Sequence, residues 1–327
     1  MKHLTKMITI GAVAALALTG CSSSNGGGDD AAAPSSENMT DVQVGILTIA
    51  PSVAMQYGID EGIFAEHGLN VELQTGQGGA ALLPALSSGS MAFAIGNPLS
   101  GIVATEKGLD IKIVTGYSNS KADGEDINGV VAKKSSGIES FADLEDKKVS
   151  VNTLKTQGDL TISESVKIDG GDPAKVNFLE MPFPDMEAQL SSDNVDAIWI
   201  PEPFLSKALA DPNNVLIGYP NQTALPGLPT MVALTSGKYA TENPKVVKAF
   251  QEAMAETLTK AEENPEAVRA LLPSFMDMPE AVATNLRMET LDAEVPTQVL
   301  SDLGDLMVEY KYVEKTPDVK AMIVSSN

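Results

Sequence analysis

The chain has a single cysteine, Cys21, among its 327 residues, so no disulfide can form within it and its stability has to come from packing. Histidine is nearly as scarce: His3 lies in the N-terminal leader, which leaves His67 as the one imidazole in the body of the chain. A Ser-His-Asp arrangement would have to use that residue, and nothing around it marks a nucleophile. His67 reads instead as a partly solvated helix-end histidine beside Gly68. Basic residues are few, 22 Lys and Arg against 44 Asp and Glu, for a formal net charge of -22. Such a surface repels nucleic acid and anionic lipid and excludes both as partners. A calcium loop is missing too: residues 123–129 imitate one, but Ile127 stands where an oxygen ligand belongs and no glutamate closes the loop. Gly76-Gln-Gly-Gly-Ala-Ala81 matches a dinucleotide fingerprint, yet the following strand ends Ile95-Gly-Asn97 without the carboxylate that would hold a ribose. No metal, no cofactor and no catalytic residue is therefore expected.

Apolar residues make up 43% of the chain, enough for a large core. At the N-terminus Lys2 and Lys6 precede a short apolar run at 8–18, closed by Leu18-Thr19-Gly20-Cys21. That run is too short to span a bilayer. It resembles a bacterial lipoprotein signal, which implies cleavage before Cys21 and lipidation of its thiol. Two or more acyl chains would anchor the protein stably, since one alone is marginal. Residues 21–40, rich in Ser, Gly, Asn and Asp, then read as a flexible tether that lets the body stand away from the membrane.

The first lobe is organised around residues 70–96. Val71 and Leu73 alternate with polar neighbours as in a strand, Gly76-Gln-Gly-Gly79 turns, 80–86 takes helical spacing, and 91–95 reads as a second strand. The turn presents unpaired N–H groups at a helix start, where the dipole favours negative charge, so the crevice above it suits a small polar or anionic ligand. A strand at 42–49, a helix at 53–66 capped by Gly68, a helix at 99–107 and a strand at 111–117 complete a parallel α/β lobe over 41–128. Residues 118–128 read as an acidic surface loop. Strand and helix alternation restarts in a second lobe over 129–222, with 129–133 as the segment that leaves the first lobe. Residues 231–234 cross back, and 223–327 are expected to be otherwise helical and to pack mainly on the first lobe. Asn243-Pro244 and Asn264-Pro265 mark two helix starts. Val247, Phe250, Met254, Leu258 and Ala261 form one apolar stripe, and 279–291 and 297–310 continue the helical pattern.

Five strings in this order carry a family resemblance: Gly62-Ile-Phe-Ala-Glu-His-Gly-Leu-Asn-Val-Glu-Leu73, Ala85-Leu-Ser-Ser-Gly89, Phe141-Ala-Asp-Leu-Glu-Asp-Lys-Lys-Val149, Val195-Asp-Ala-Ile-Trp-Ile-Pro-Glu-Pro-Phe204 and Asn243-Pro-Lys-Val-Val-Lys-Ala-Phe250. Together they resemble the solute-binding lipoproteins of ABC importers for nitrate, sulfonates, taurine and thiamine-pyrimidine precursors. The resemblance implies a two-lobed periplasmic-binding-protein type II fold with two crossover strands, a monomer outside the cytoplasm, and an ABC permease with its ATPase as partners. Two departures stand out: Asp146 occupies a position that is often glycine in the family, and the turn after the second strand is Gly-rich where many sulfonate binders are Ser-rich. A pyrimidine synthase branch of the same fold depends on a cysteine-rich segment and a donor histidine, and this chain has neither.

The turns that follow strands face the expected cleft, and they supply the candidate ligand-binding residues. From the first lobe these are Ser52, Gln77, Gly78, Gly79 and Asn97; from the second, Lys155, Thr156, Gln157 and Gly158 on one turn and Trp199 and Glu202 on another. Lys155 is the only cation among them, suited to a charge-assisted bond. Glu202 discriminates between ligands: facing inward it would repel a sulfonate and accept bonds from an aminopyrimidine, and facing outward it would brace a helix. The expected ligand is a small anion of the sulfonate, taurine or nitrate type, with a thiamine-pyrimidine precursor as the alternative. A sensory lipoprotein or an exported enzyme stands behind both.

Overall fold

The computed structural model describes residues 33–325, and the leader with most of the expected tether lies outside that range. Two sheets divide the body. The first contains β1 (Thr40–Leu47), β2 (Leu69–Gly76), β3 (Phe93–Gly96) and β4 (Ile111–Asn119). The second contains β5 (Asn128–Lys133), β6 (Lys148–Val151), β7 (Asn177–Glu180), β8 (Ala197–Pro201) and β9 (Asn214–Gly218). The chain then returns to the first sheet through β10 (Pro229–Ser236) and a short β11 (Thr290–Leu291). The strand orders are β11-β4-β10-β3-β1-β2 and β7-β6-β8-β5-β9.

Neither sheet is wholly parallel, which corrects the sequence-based expectation. β5 runs antiparallel to β8 and β9, and β10 runs antiparallel to β3 and β4. Each is the strand that has just arrived from the other lobe. A strand entering at the carboxyl ends of its neighbours must run against them, so the two crossovers deliver the first residues of β5 and β10 to the edge where parallel sheets bind ligands. Both are interior strands with a neighbour on each side: every residue of β10 is buried, as are the first five of β5.

The C-terminal stripe packs as its spacing requires. Val247, Phe250, Met254, Leu258 and Ala261 are all buried on the helix Pro244–Glu263, and the Phe250 ring stacks on Phe93 at 3.8 Å and 5°. Both Asn-Pro pairs open helices, Pro244–Glu263 and Pro265–Met276, but neither asparagine side chain caps; Asn243 Nδ2 instead donates back to the Tyr239 carbonyl. The helix expected over 53–66 is two, Val53–Asp60 and Ile63–Glu66, parted at Gly62, where φ is 75°. Asp146 has φ of 62°, which explains why glycine suits that position and why aspartate, which tolerates left-handed backbone, can replace it.

The helix expected over 279–291 stops after Glu280–Ala283. Tertiary bonds outweigh its helical spacing. Arg269 Nη1 donates to the carbonyls of Thr284 and Leu286, Leu291 N–H donates to Glu262 Oε2 at 2.8 Å, and Thr290–Leu291 joins the edge of β4. Residues 285–289 are thereby drawn out of the helix, with Arg287 reaching Glu202 and Glu289 reaching the space between the lobes.

Candidate functional site

The lobes come together over a small cavity of about 50 Å³ that opens to solvent. Leu47, Ile49, Pro51 and Asn97 line it from the first lobe, and Asn152, Thr156, Gln157, Phe183, Trp199 and Pro201 from the second. Its floor is made by the crossovers, Ile127 and Asn128 at the start of β5 and Thr230 and Met231 at the start of β10, together with Glu289. The lobes touch directly above it: Ala50 N–H donates to the Glu202 carbonyl oxygen at 3.3 Å.

Four of the expected residues line this cavity: Asn97, Thr156, Gln157 and Trp199. Three more build its walls. A Cβ on Gly158 would lie 2.7 Å from the Trp199 ring, so the helix Gln157–Ile168 can approach the indole only because that residue is glycine. Gly79 packs against Asn97, and a Cβ on Gly78 would meet Thr153 Oγ1 at 3.1 Å and Asn152 Nδ2 at 3.3 Å. Gly78 is therefore a point of contact between the lobes. Neither glycine of this turn has left-handed φ; close approach, rather than a special turn geometry, requires them.

The remaining four are placed elsewhere. Ser52 is fully buried beneath the first-lobe turn, its hydroxyl without a hydrogen-bond partner among the described residues. Gln77 is exposed and lines a neighbouring opening with Thr48 and Phe204. Lys155 is exposed, has φ of 55°, and borders an outer groove with Leu83, Val103 and Lys107. It is not the cation of the cleft. Glu202 turns away from the cavity: its carboxylate accepts from Ser206 N–H at 3.0 Å, Ser206 Oγ at 2.8 Å and Arg287 Nη1 at 2.8 Å. It braces the helix Phe204–Ala210 and pairs with an arginine from the drawn-out C-terminal segment.

Three helix starts meet at the cleft. Gly79–Ser88 begins after Gly78; Pro98–Glu106 begins after Asn97, whose Oδ1 accepts from Ser100 N–H at 2.8 Å; Gln157–Ile168 begins after Thr156. Asp159, three residues on, accepts from the N–H groups of Lys155 at 2.7 Å and Thr156 at 2.8 Å. Burial nevertheless pushes the Asp159 carboxyl up. Each helix start carries roughly half a positive charge, and none of the cavity-lining residues is Lys or Arg. The Trp199 indole N–H is buried without a hydrogen-bond partner among the described residues.

Glu289 lies outside the sequence-based set. Its side chain is buried, and neither carboxyl oxygen makes a hydrogen bond of good geometry among the described residues. Burial pushes its pKa up to about 7, opposed by the nearby Thr230 and Ser118 hydroxyls and assisted by the charge of Asp126. Thr230, Met231, Ile127 and Asn128 were also missed, and the signal for them was available, because a crossover strand has to enter its sheet at the ligand edge. The acidic loop at 118–128 is likewise not all surface: Asp126 is buried, accepting from Ser120 Oγ and from Ile127 N–H at 2.9 Å.

Comparison with known proteins accords with this architecture. A model of the family described as "NMT1/THI5 like" matches residues 52–268, about two thirds of the chain. The chain belongs to the NMT1/THI5-like family. A Bacillus subtilis (strain 168) protein named "Putative aliphatic sulfonates-binding protein" is 24% identical over 331 residues, covering 97% of this chain and 93% of its own length. The alkanesulfonate-binding protein SsuA from Xanthomonas axonopodis pv. citri, bound to MOPS, has the same fold with a TM-score of 0.73 at 16% identity, over 88% of this chain and 99% of that one. The nitrate-binding protein NrtA from Synechocystis PCC 6803 aligns with a TM-score of 0.70 at 16% identity, over 86% of this chain and 84% of its own.

Proposed function

We propose that this protein is the extracytoplasmic solute-binding component of an ABC importer, holding a small anion of the sulfonate or nitrate type between its lobes. The observation that carries this reading is the cavity at the carboxyl ends of both sheets, with three helix starts around it and walls from both lobes. Backbone N–H groups, Asn97, Thr156, Gln157 and the Trp199 N–H supply donors to an anion without a formal cation. Closure around the solute is the mechanism: the closed state binds more tightly, and an ABC permease with its ATPase receives the solute from it. No chemical step is required. Lipid on Cys21 holds the protein, as a monomer, at the outer face of the membrane through the Ser- and Gly-rich tether. A thermal-shift panel tests the ligand class: nitrate or an alkanesulfonate raises the melting temperature in proportion to the logarithm of its concentration, and a panel that leaves it unmoved contradicts the reading.

One observation favours a second reading. Glu289 is a carboxyl in the cavity wall, and in its ionised form it would accept hydrogen bonds from a nitrogen-bearing ring such as a thiamine-pyrimidine precursor. In that case the aminopyrimidines of the panel raise the melting temperature and the sulfonates do not.

A further inference from the structure

We propose that Glu289 enters the ligand complex as the neutral acid and donates its proton in a hydrogen bond to an oxygen of the bound anion, so that capture is coupled to proton uptake. This rests on the anion reading above. An ionised carboxylate beside an anion in a cleft shielded from water would repel it strongly. The protonated form replaces that repulsion with an O–H···O⁻ bond, among the stronger hydrogen bonds available. The proton stays on Glu289, and where the free protein has lost it, one is taken from solvent on binding.

Around Glu289 the Thr230 and Ser118 hydroxyls favour the ionised form only in part, and no described cation stands beside it to offset its burial. From β4, Tyr117 donates its hydroxyl to the Pro51 carbonyl at 2.8 Å, and Ser118 shares a hydrogen bond of 2.9 Å with Thr230 of β10. From the crossover loop Asp126 adds negative charge, and Lys121, whose backbone N–H donates to Asp126 Oδ1 at 3.3 Å, acts on Asp126. Arg287, two residues away, is committed to Glu202 at 2.8 Å and Glu125 at 3.0 Å, with Tyr219 against it. Among the described residues, no Lys or Arg lines the cavity itself. With burial holding its pKa near 7, the acid is half protonated in the free protein at neutral pH, so the proton needed for binding is readily available there.

Calorimetric titration of the protein with methanesulfonate and with nitrate, from pH 5.5 to 8.5 in buffers of different ionisation enthalpy, tests this. Both ligands stay anionic throughout that range, so the profile reports the protein. The expected affinity is level below about pH 6 and falls about tenfold per unit above about pH 7, with uptake of close to one proton per ligand at the alkaline end. Glu289→Gln, an uncharged isostere that keeps a donor, is expected to flatten the profile and to bind about tenfold more tightly than wild type at pH 8. A flat wild-type profile, or one that rises with pH, overturns the proposal while leaving the anion reading intact. If neither anion binds at any pH, the anion reading fails and the proposal with it.

Discussion

Two glutamates divide the electrostatics of the cleft region between them. Glu202 is fully buried and ionically satisfied by Arg287 and Ser206, whereas Glu289 is buried and unpaired. Burial works against the Arg287 charge, but its bonds to Glu202 and Glu125 outweigh that and move its pKa up. Arg287→Met should therefore destabilise the protein by about 3–5 kcal/mol in urea unfolding, because it strands a buried charge, and adding Glu202→Gln should recover part of the loss. Glu289 has the opposite signature. Its folded pKa of about 7 exceeds the ordinary 4.5, so the native state keeps a proton that the unfolded chain releases between those values. Stability accordingly falls as pH rises through that window and is level above it. Glu289→Gln should gain on wild type by up to about 3 kcal/mol between pH 4.5 and 7.5, measured as the difference in unfolding free energy. Glu202 was visible in the sequence as a residue with two readings; its partner lies 85 positions away, and a contact of that range leaves no local trace. Trp199 was equally visible, and Gly158 against its ring makes a third test: Gly158→Ala should cost about 1–3 kcal/mol through overpacking.

Elements with strong period and punctuation were legible: the stripe on Pro244–Glu263, the two Asn-Pro starts, and the strand, Gly-rich turn and helix from Leu69 to Ser88 all stand where spacing puts them. What spacing could not show was direction and competition. The antiparallel sense of β5 and β10 follows from where each strand enters its sheet, and the helical pattern over 279–291 breaks off because Arg269 holds the carbonyls of Thr284 and Leu286 while Glu262 and the edge of β4 hold Thr290 and Leu291. The spacing of the Gly-rich turn makes it a ligand cradle, and its glycines also let the lobes meet. A side chain at Gly78 would stand between that turn and Thr153. Gly78→Val should hold the cleft open, weakening ligand binding at least tenfold and leaving the radius of gyration in small-angle scattering unchanged on ligand addition, whereas that of wild type contracts.

At the scale of the whole molecule, the C-terminal region spans both lobes. Residues 290–291 extend the first sheet, while Tyr310 Oη donates to Glu164 Oε2 at 2.8 Å and Lys167 pairs with Glu309 across to the second-lobe helix Gln157–Ile168. The Lys167–Glu309 pair is half exposed and adds little to stability, whereas the Tyr310–Glu164 bond is partly buried. A solute held between the lobes has a reporter beside it, since Trp199 is the chain's only tryptophan and lines the cavity. The most direct measurement is Trp emission during titration with alkanesulfonates, nitrate and aminopyrimidines at pH 6, alongside calorimetry. A saturable shift in emission that tracks the calorimetric isotherm is the predicted result. A compound that binds by calorimetry and leaves the emission unchanged would place the site elsewhere and contradict capture between the lobes.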